Sequence, residues 1–274
     1  MRKIGRRNTN ILLELSKLIS LEGKKTLISG AGSGIGRAIA KRFAEAGSDL
    51  ILLDIDERGL CQTRDTIQKF TSRVSICKLD LSKKAQIDSL WEDFNDEIPD
   101  ILINNAGIYP FKNYLELDED ELKKTMDVNL NSIFWMCQNF IKKRIKKGGI
   151  IVNLSSIEAI LPFKGDLAHY SVSKAGVLAL TRSLARDYGR NNFRINTILP
   201  GAIKTPGTDN LVKLAISRMK VKLIKTGYDF QNRLALGRWG NPDEVAKVAL
   251  FLCSDLASYV QGAMLPVDGG FLSS

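Results

Sequence analysis

The sequence of 274 residues predicts an α/β fold with a single doubly wound parallel sheet and helices on both faces. Three observations predict it. Short apolar runs of strand type alternate with helical patterns from end to end, which argues for parallel strands joined by right-handed crossovers. A glycine-rich turn, Gly30 to Gly36, lies between the first strand and the first helix. Each further polar cluster follows a predicted strand, and such sheets bind ligands at the carboxyl ends of their strands.

The elements follow in order. Residues 1–19 read as an N-terminal extension: Ile11, Leu12, Leu15, Leu18 and Ile19 share one helical face, suited to packing on the body or on a partner subunit. A secretory signal would need a longer apolar core and a small-residue cleavage site. The arginines leave a transit peptide open, against which stand Glu14 and the modest serine content. Residues 20–274 read as one catalytic domain. Strands are expected at Lys25–Ser29, Asp49–Leu53, Val74–Cys77, Asp100–Ile103, Ile150–Leu154, Arg194–Leu199 and Ala263–Val267. Helices are expected after the glycine turn, over 57–71, 83–95 and 119–146, from the Tyr170 region to Tyr188, and from Pro242 to Cys253, since proline suits a first helical position. Residues 205–232 read as a helical lid, entered through Thr205-Pro206-Gly207; long insertions at the ligand end of a sheet commonly cover the site.

Hydrophobic content of 44% and charged content of 26% suit a soluble globular protein, here expected in the cytoplasm. No run reaches the apolar length needed to span a bilayer, so no membrane partner is expected. The net charge of +10 is concentrated at Arg2–Arg7, Lys142–Lys147 and Lys213–Lys225. Such runs read as solvated faces; those in the lid could also draw in an anionic substrate. No nucleic-acid-binding motif accompanies them, and no nucleic-acid partner is expected. Cys61, Cys77, Cys137 and Cys253 are scattered and read as reduced core thiols. The one histidine, His169, is too little for a histidine metal site, so no metal is expected; it reads as a surface or supporting residue.

Tyr170 and Lys174 are four apart, one helical turn, so a phenol and an ammonium share a face. A neighbouring cation favours the phenolate, and a phenol of lowered pKa can move protons near neutral pH. Ser155 and Ser156 stand upstream, and a serine hydroxyl can hydrogen-bond a substrate oxygen. Gly30, Gly34 and Gly36 permit a tight turn and close approach of a pyrophosphate to a helix N-terminus, with Ser33 and Ile35 between them. Asp54, at the end of the second strand, is placed to accept hydrogen bonds from ribose hydroxyls and to repel a 2′-phosphate; Ser33 is not basic. Both select NAD.

These motifs resemble the short-chain dehydrogenase/reductase family over about residues 22–270. Ser29-Gly30-Ala31-Gly32-Ser33-Gly34-Ile35-Gly36 is similar to the family's Thr-Gly-x-x-x-Gly-x-Gly, with serine for threonine. Asp80-Leu81 resembles the element that meets the adenine, and Asn104-Asn105-Ala106-Gly107 the signature after the fourth strand. Val128-Asn129 resembles the mid-helix asparagine that holds a relay water. Ile151 to Ser156 resembles the strand carrying the catalytic serine, here Ser156, one residue farther from Tyr170 than the commonest pattern. Pro200-Gly201, Ile203 and Thr205 resemble the segment closing over the nicotinamide. The resemblance implies a Rossmann-like fold and an NAD-dependent oxidoreductase interconverting a secondary alcohol and a ketone. Tyr170, Lys174, Ser156 and Asn129 are then the catalytic set, with Tyr170, Lys174 and the motif residues around the cofactor. An NADP-linked carbonyl or 3-oxoacyl reductase and a non-catalytic NAD-binding scaffold stand as alternatives. The resemblance also implies a homodimer or homotetramer, for which Ile133, Phe134, Val177, Leu178 and Leu184 supply apolar surface. The substrate stays open among sugar, steroid, acyl thioester and polyol. Its pocket is expected near 157–167, 108–114 and the lid, with Leu161, Phe163 and Leu211 as an apolar wall.

Overall fold

The computed structural model describes residues 14–70, 73–94, 97–208 and 231–274. Its elements are α1 (Leu15–Ile19), β1 (Lys25–Ser29), α2 (Gly34–Glu45), β2 (Asp49–Asp54), α3 (Glu57–Ile67), β3 (Val74–Lys78), α4 (Lys84–Asp93), β4 (Ile101–Asn104), α5 (Glu119–Met126), α6 (Ser132–Arg144), β5 (Gly149–Leu154), α7 (Ala168–Tyr188), β6 (Phe193–Pro200), α8 (Pro242–Cys253) and β7 (Met264–Val267). Residues 1–13 of the extension and most of the expected lid, 209–230, lie outside the described residues.

All seven strands are parallel, in the order β3-β2-β1-β4-β5-β6-β7. The chain starts mid-sheet, winds outward to β3, then returns beside β1 and winds the other way. The order reverses between β1 and β4, and the crevice above that point is where doubly wound sheets take ligands.

Side chains alternate across each strand, so the central strands feed two cores at once. Ile28, Ile103 and Val152 pack with Ile39 and Phe43 of α2, Leu60 of α3 and Val245 and Leu252 of α8. Leu27, Leu102 and Ile151 face the other way, onto Trp91 of α4, Ile133 and Phe140 of α6 and Val177 of α7. Apolar burial on both faces is why these strands read as continuous hydrophobic runs. α8 starts on a full capping box: Asn241 and Glu244 cap one another's backbone, and Pro242 follows. Arg42 of α2 grips Asp243 of α8 through two bonds, Nε to Oδ1 at 2.5 Å and Nη2 to Oδ2 at 2.8 Å.

Three expectations are corrected. The helix expected over 119–146 is broken by one wide π turn, Asp127–Asn131, between α5 and α6. Of the apolar residues expected at an oligomer face, Ile133, Val177 and Leu178 are buried in the chain's own cores and Leu184 is packed against them. Only Phe134, 43% exposed, remains outward. Arg144 does not belong to a solvated basic face: it is buried, pairs with Asp100 at 3.0 Å and donates to the carbonyls of Gly148 and Pro99. In α1, no residue is buried. No helix among the described residues is long and apolar enough to cross a membrane.

Candidate active site

The glycine turn is built so that the backbone does the holding. A Cβ on Gly36 would stand 2.0 Å from the Gly30 carbonyl oxygen, so only glycine lets α2 start this close to β1. Gly30 and Gly34 have φ of 65° and 53°, the left-handed region that glycine enters freely. Ser29 serves where the family pattern has threonine: its hydroxyl accepts the N–H groups of Asn105 at 3.0 Å and Ala106 at 3.2 Å. The Asn105 amide donates to the carbonyls of Ser29 and Gly30, both at 3.0 Å. The side chain of Asn105 therefore locks the glycine turn to the end of β4. Asp54 ends β2 with both oxygens fixed, Oδ2 by the Gly32 N–H at 2.8 Å and Oδ1 by the Asp56 N–H at 2.9 Å. Asp80 turns on itself, accepting the Ser82 N–H at 2.9 Å.

Across the crevice, side chains do the holding. Ser155 is spent on structure, donating to the Lys174 carbonyl at 2.8 Å. Ser156 faces the cavity; its oxygen accepts the Glu158 N–H at 3.2 Å, which leaves its own proton to donate. Tyr170 lies edge-on to Tyr109, with ring centroids 4.6 Å apart. Burial pushes the Tyr170 phenol up to about 12; the Ser156 hydroxyl pulls it down, and the Glu158 carboxylate raises it further. Lys174 does not supply the depression expected from its spacing. Its ammonium donates to the Leu154 carbonyl at 3.0 Å and lies 5.9 Å from the Tyr170 ring, and burial lowers its own pKa to about 8. Asn129 sits in the π turn and clamps one residue: its Oδ1 accepts the Ile108 N–H at 2.8 Å and its Nδ2 donates to the Ile108 carbonyl at 2.9 Å. A Cβ on Gly107 would stand 3.3 Å from both Asn129 Oδ1 and Lys174 Nζ. The bare glycine is what lets these two approach.

One cavity of about 1180 Å³ joins the two sides. Among the residues the motifs singled out, Gly30, Ser33, Gly34, Ile35, Asp54, Asp80, Leu81, Asn105, Ala106, Gly107, Val128, Ser156, Tyr170, Lys174, Pro200, Gly201, Ile203 and Thr205 line it. Gly36 and Asn129 stand behind that lining and shape it. His169 is buried rather than on the surface, and burial lowers its pKa. Phe163 lines the cavity, but Leu161 packs into a small cluster with Leu178, Leu199, Leu234 and Phe271. Leu211 lies outside the described residues. Tyr109, Glu158 and Lys164, which lie in the segments 108–114 and 157–167 expected near the pocket, also line the cavity, as does Trp239, which lies outside them. A further signal existed for one of them: Glu158 is the lone acid in the apolar run Ile157–Leu161.

The family model described as enoyl-(acyl carrier protein) reductase matches residues 30–272. A 3-oxoacyl-[acyl-carrier-protein] reductase, FabG, of Aquifex aeolicus is 35% identical over 256 residues, covering 92% of this chain and 98% of its own. The chain belongs to the short-chain dehydrogenase/reductase family. It is accordingly an oxidoreductase of the nicotinamide-dependent class acting on CH–OH groups. Two solved members show how widely its relatives differ. One, from Agrobacterium tumefaciens, is provisionally named 2-deoxy-d-gluconate 3-dehydrogenase and holds NADP; it is 33% identical, with a TM-score of 0.85 over 94% of this chain and 99% of its own. The other is a 7α-hydroxysteroid dehydrogenase complexed with NADH and 7-oxo glycochenodeoxycholic acid. It is 31% identical, with a TM-score of 0.83 over 94% and 98% of the two chains.

Proposed function

We propose that this short-chain dehydrogenase/reductase is NAD-dependent and interconverts a secondary alcohol and a ketone through Ser156, Tyr170, Lys174 and Asn129. The observation that carries the reading is the single cavity in which Ser156, Tyr170 and Lys174 face the glycine turn and Asp54. The turn fits a dinucleotide: the space a Cβ would fill at Gly30 and Gly36 is taken by the neighbouring backbone, and α2 points its free N–H end at the cavity. Gly30, Ser33, Gly34 and Ile35 would hold the pyrophosphate. Asp54 would hold the adenosine ribose, Asp80 and Leu81 the adenine, and Pro200, Gly201, Ile203 and Thr205 the nicotinamide end. When bound, the nicotinamide supplies the hydride chemistry, and in its oxidised form a positive charge that opposes the effects raising the Tyr170 pKa.

The chain's own residues do the rest. Ser156 donates its proton to the reacting oxygen, where charge develops. Tyr170 removes the alcohol proton in oxidation and returns it in reduction. Lys174 brings a cation to the Tyr170 face and hydrogen-bond donors to the nicotinamide ribose. Asn129 fixes Ile108, and with it the wall of the proton path. NAD is favoured over NADP because Asp54 cannot swing away from a 2′-phosphate; both its oxygens are pinned. Arg37, the nearby cation, is already engaged by Thr63, Gln62 and the carbonyls of Gly32 and Gly59.

The functional unit is a homo-oligomer in the cytoplasm, as family membership suggests; light scattering on the purified protein gives the subunit count. The catalytic reading is tested by kcat/KM with each cofactor across chemically diverse secondary alcohols. NAD is expected to be preferred by tenfold or more. Equal or better use of NADP would sink the cofactor assignment.

A further inference from the structure

The end of the cavity that holds Ser156 and Tyr170 is walled by rings. Tyr109 and Phe111 come from the loop after β4, Phe163 from the loop after β5 and Trp239 from the segment before α8. All four are half-buried, so three separate segments leave aromatic surface open on one cavity. Tyr109 ties the wall to the catalytic phenol. Its ring lies edge-on to Phe111, with centroids 4.9 Å apart, and edge-on to Tyr170 at 4.6 Å. Phe163 is backed by Phe271 at 4.9 Å. The two ionic side chains nearby support this wall. The Glu158 carboxyl is 1% exposed and is held by the N–H groups of Phe163 and Lys164 and by the Ser171 hydroxyl. The half-buried Lys164 ammonium rests on the rings of Tyr109, Phe111 and Phe163, between 5.6 and 5.9 Å from their centroids.

One polar atom of the wall is not used by the fold. The Tyr109 hydroxyl makes no hydrogen bond to any of the described residues. Burial, and then the charges of Tyr170 and Glu158, raise its pKa, so its oxygen lies near both and stays a neutral donor. A substrate seated against the rings shuts this phenol off from solvent, and a phenol shut off from solvent needs a hydrogen-bond partner. The substrate itself is the group placed to supply one. Ser156 and Tyr170 are committed to the reacting oxygen, so the described wall provides for two substrate oxygens. The further hydroxyls of a polyol would be pressed against rings without partners. A flexible chain would lose its freedom on being held there. A rigid ring of C–H groups suits aromatic edges and faces and carries neither penalty.

We propose that the substrate is a cyclic, mostly hydrocarbon secondary alcohol or ketone carrying one further oxygen, and that the Tyr109 hydroxyl recognises that second oxygen. The inference rests on the alcohol/ketone reading of the same site.

The test uses the full chain with NAD and NADP. The panel holds cyclohexanol, the cyclohexanediols, a hydroxysteroid with and without a second oxygen, alditols and aldonic acids of matching carbon number, and a 3-hydroxyacyl thioester. The best ring member is expected to exceed every alditol, aldonic acid and thioester by about 100-fold or more in kcat/KM. A site built to bond an oxygen rejects the analogue lacking it, so the ring with two oxygens should exceed its one-oxygen partner by about tenfold or more. Tyr109→Phe removes only the oxygen and keeps the ring, which guards against misfolding. It should bring that second ratio to within about threefold, with the preference for rings and the NADH affinity held. Phe111→Ala should raise KM for the ring members by about tenfold and change kcat less. An unchanged two-oxygen ratio in Tyr109→Phe overturns the proposal, and so does lost NADH binding in that variant, which would assign the hydroxyl to the cofactor. Turnover confined to alditols, aldonic acids or the thioester also overturns it and leaves the alcohol/ketone reading standing. If no panel member is turned over by protein that binds NADH, that underlying reading fails as well.

Discussion

On the β1–β3 side of the crevice, polar groups are positioned by the backbone. Both Asp54 oxygens are held by main-chain N–H groups, and Asn105 spends its amide on two carbonyls. On the β5–α7 side, the groups that face the cavity are side chains enclosed by other side chains. There Tyr170, Lys174, Glu158 and Lys164 are all displaced toward their neutral forms, each with burial as the leading cause. The difference follows from the two tasks. A nucleotide held by fixed dipoles needs rigidity, which main-chain bonds supply. Proton transfer needs groups whose charge can change, and withdrawing them from water makes that charge responsive to whatever enters the cavity.

The sharpest way to break this contrast is Tyr170→Phe. Turnover is expected to fall by about 1000-fold or more, within the range that acid–base groups supply, with NADH affinity held within about threefold. Fluorescence titration beside steady-state rates decides it; retained turnover would remove Tyr170 from proton transfer. The pH profile carries the same information. With its pKa raised, the phenol is neutral at pH 7. Oxidation, which needs the phenolate, should quicken as pH rises toward 9, while reduction, which needs the proton in place, should stay flat.

Next in size is Gly36→Val. The collision with Gly30 should cost about 100-fold in cofactor affinity and lower the melting temperature, and NADH titration with thermal melts reads both. Normal NADH affinity would mean the turn tolerates a side chain. Asp54→Ala should lower the ratio of kcat/KM for NAD over NADP by about tenfold, roughly one charge-assisted hydrogen bond. A ratio left as it was would move cofactor selection elsewhere.

The smallest effect belongs to the clamp between α2 and α8. The Arg42 guanidinium holds the Asp243 carboxyl well below the usual carboxylate range. That stability is present above the ordinary aspartate pKa of about 4 and is lost as pH falls through the lower folded value. Both side chains are about 30% exposed, so solvent screening leaves Asp243→Asn costing only about 1 kcal/mol at pH 7. Melts of the variant and the natural protein should converge in acid. A constant gap from pH 7 to pH 2 would assign the loss to something other than charge.

The backbone-built half was legible in the sequence for a physical reason. At Gly30 a φ of 65° favours glycine and a Cβ would stand 2.8 Å from Ala106, and a strand buried on both faces must be apolar throughout, so both requirements are written in residue type. The seven strands accordingly fall within one or two residues of their expected bounds. The other half was less legible. Glu158 and Lys164 are ordinary loop residues until residues 157–167 fold over the end of β5, burying the first and half-burying the second. The spacing of Tyr170 and Lys174 was readable, but the direction of the Tyr170 pKa was not, because burial outweighs a lysine whose ammonium is turned to Leu154. Nothing in Asp127–Asn131 distinguishes a wide turn from ordinary helix.

That wide turn makes the site depend on the length of the chain as well as on its side chains. A π turn holds one residue more than the regular helix it interrupts. Deleting a single residue between Asp127 and Asn131 would close the turn to regular helix, leaving the flanking segments nearly in register and moving the residues of the turn itself. Asn129 would leave Ile108, while α6 gained regular hydrogen bonds. In this stretch a deletion that improves the secondary structure would be the lesion, and most substitutions at its outward positions would be tolerated.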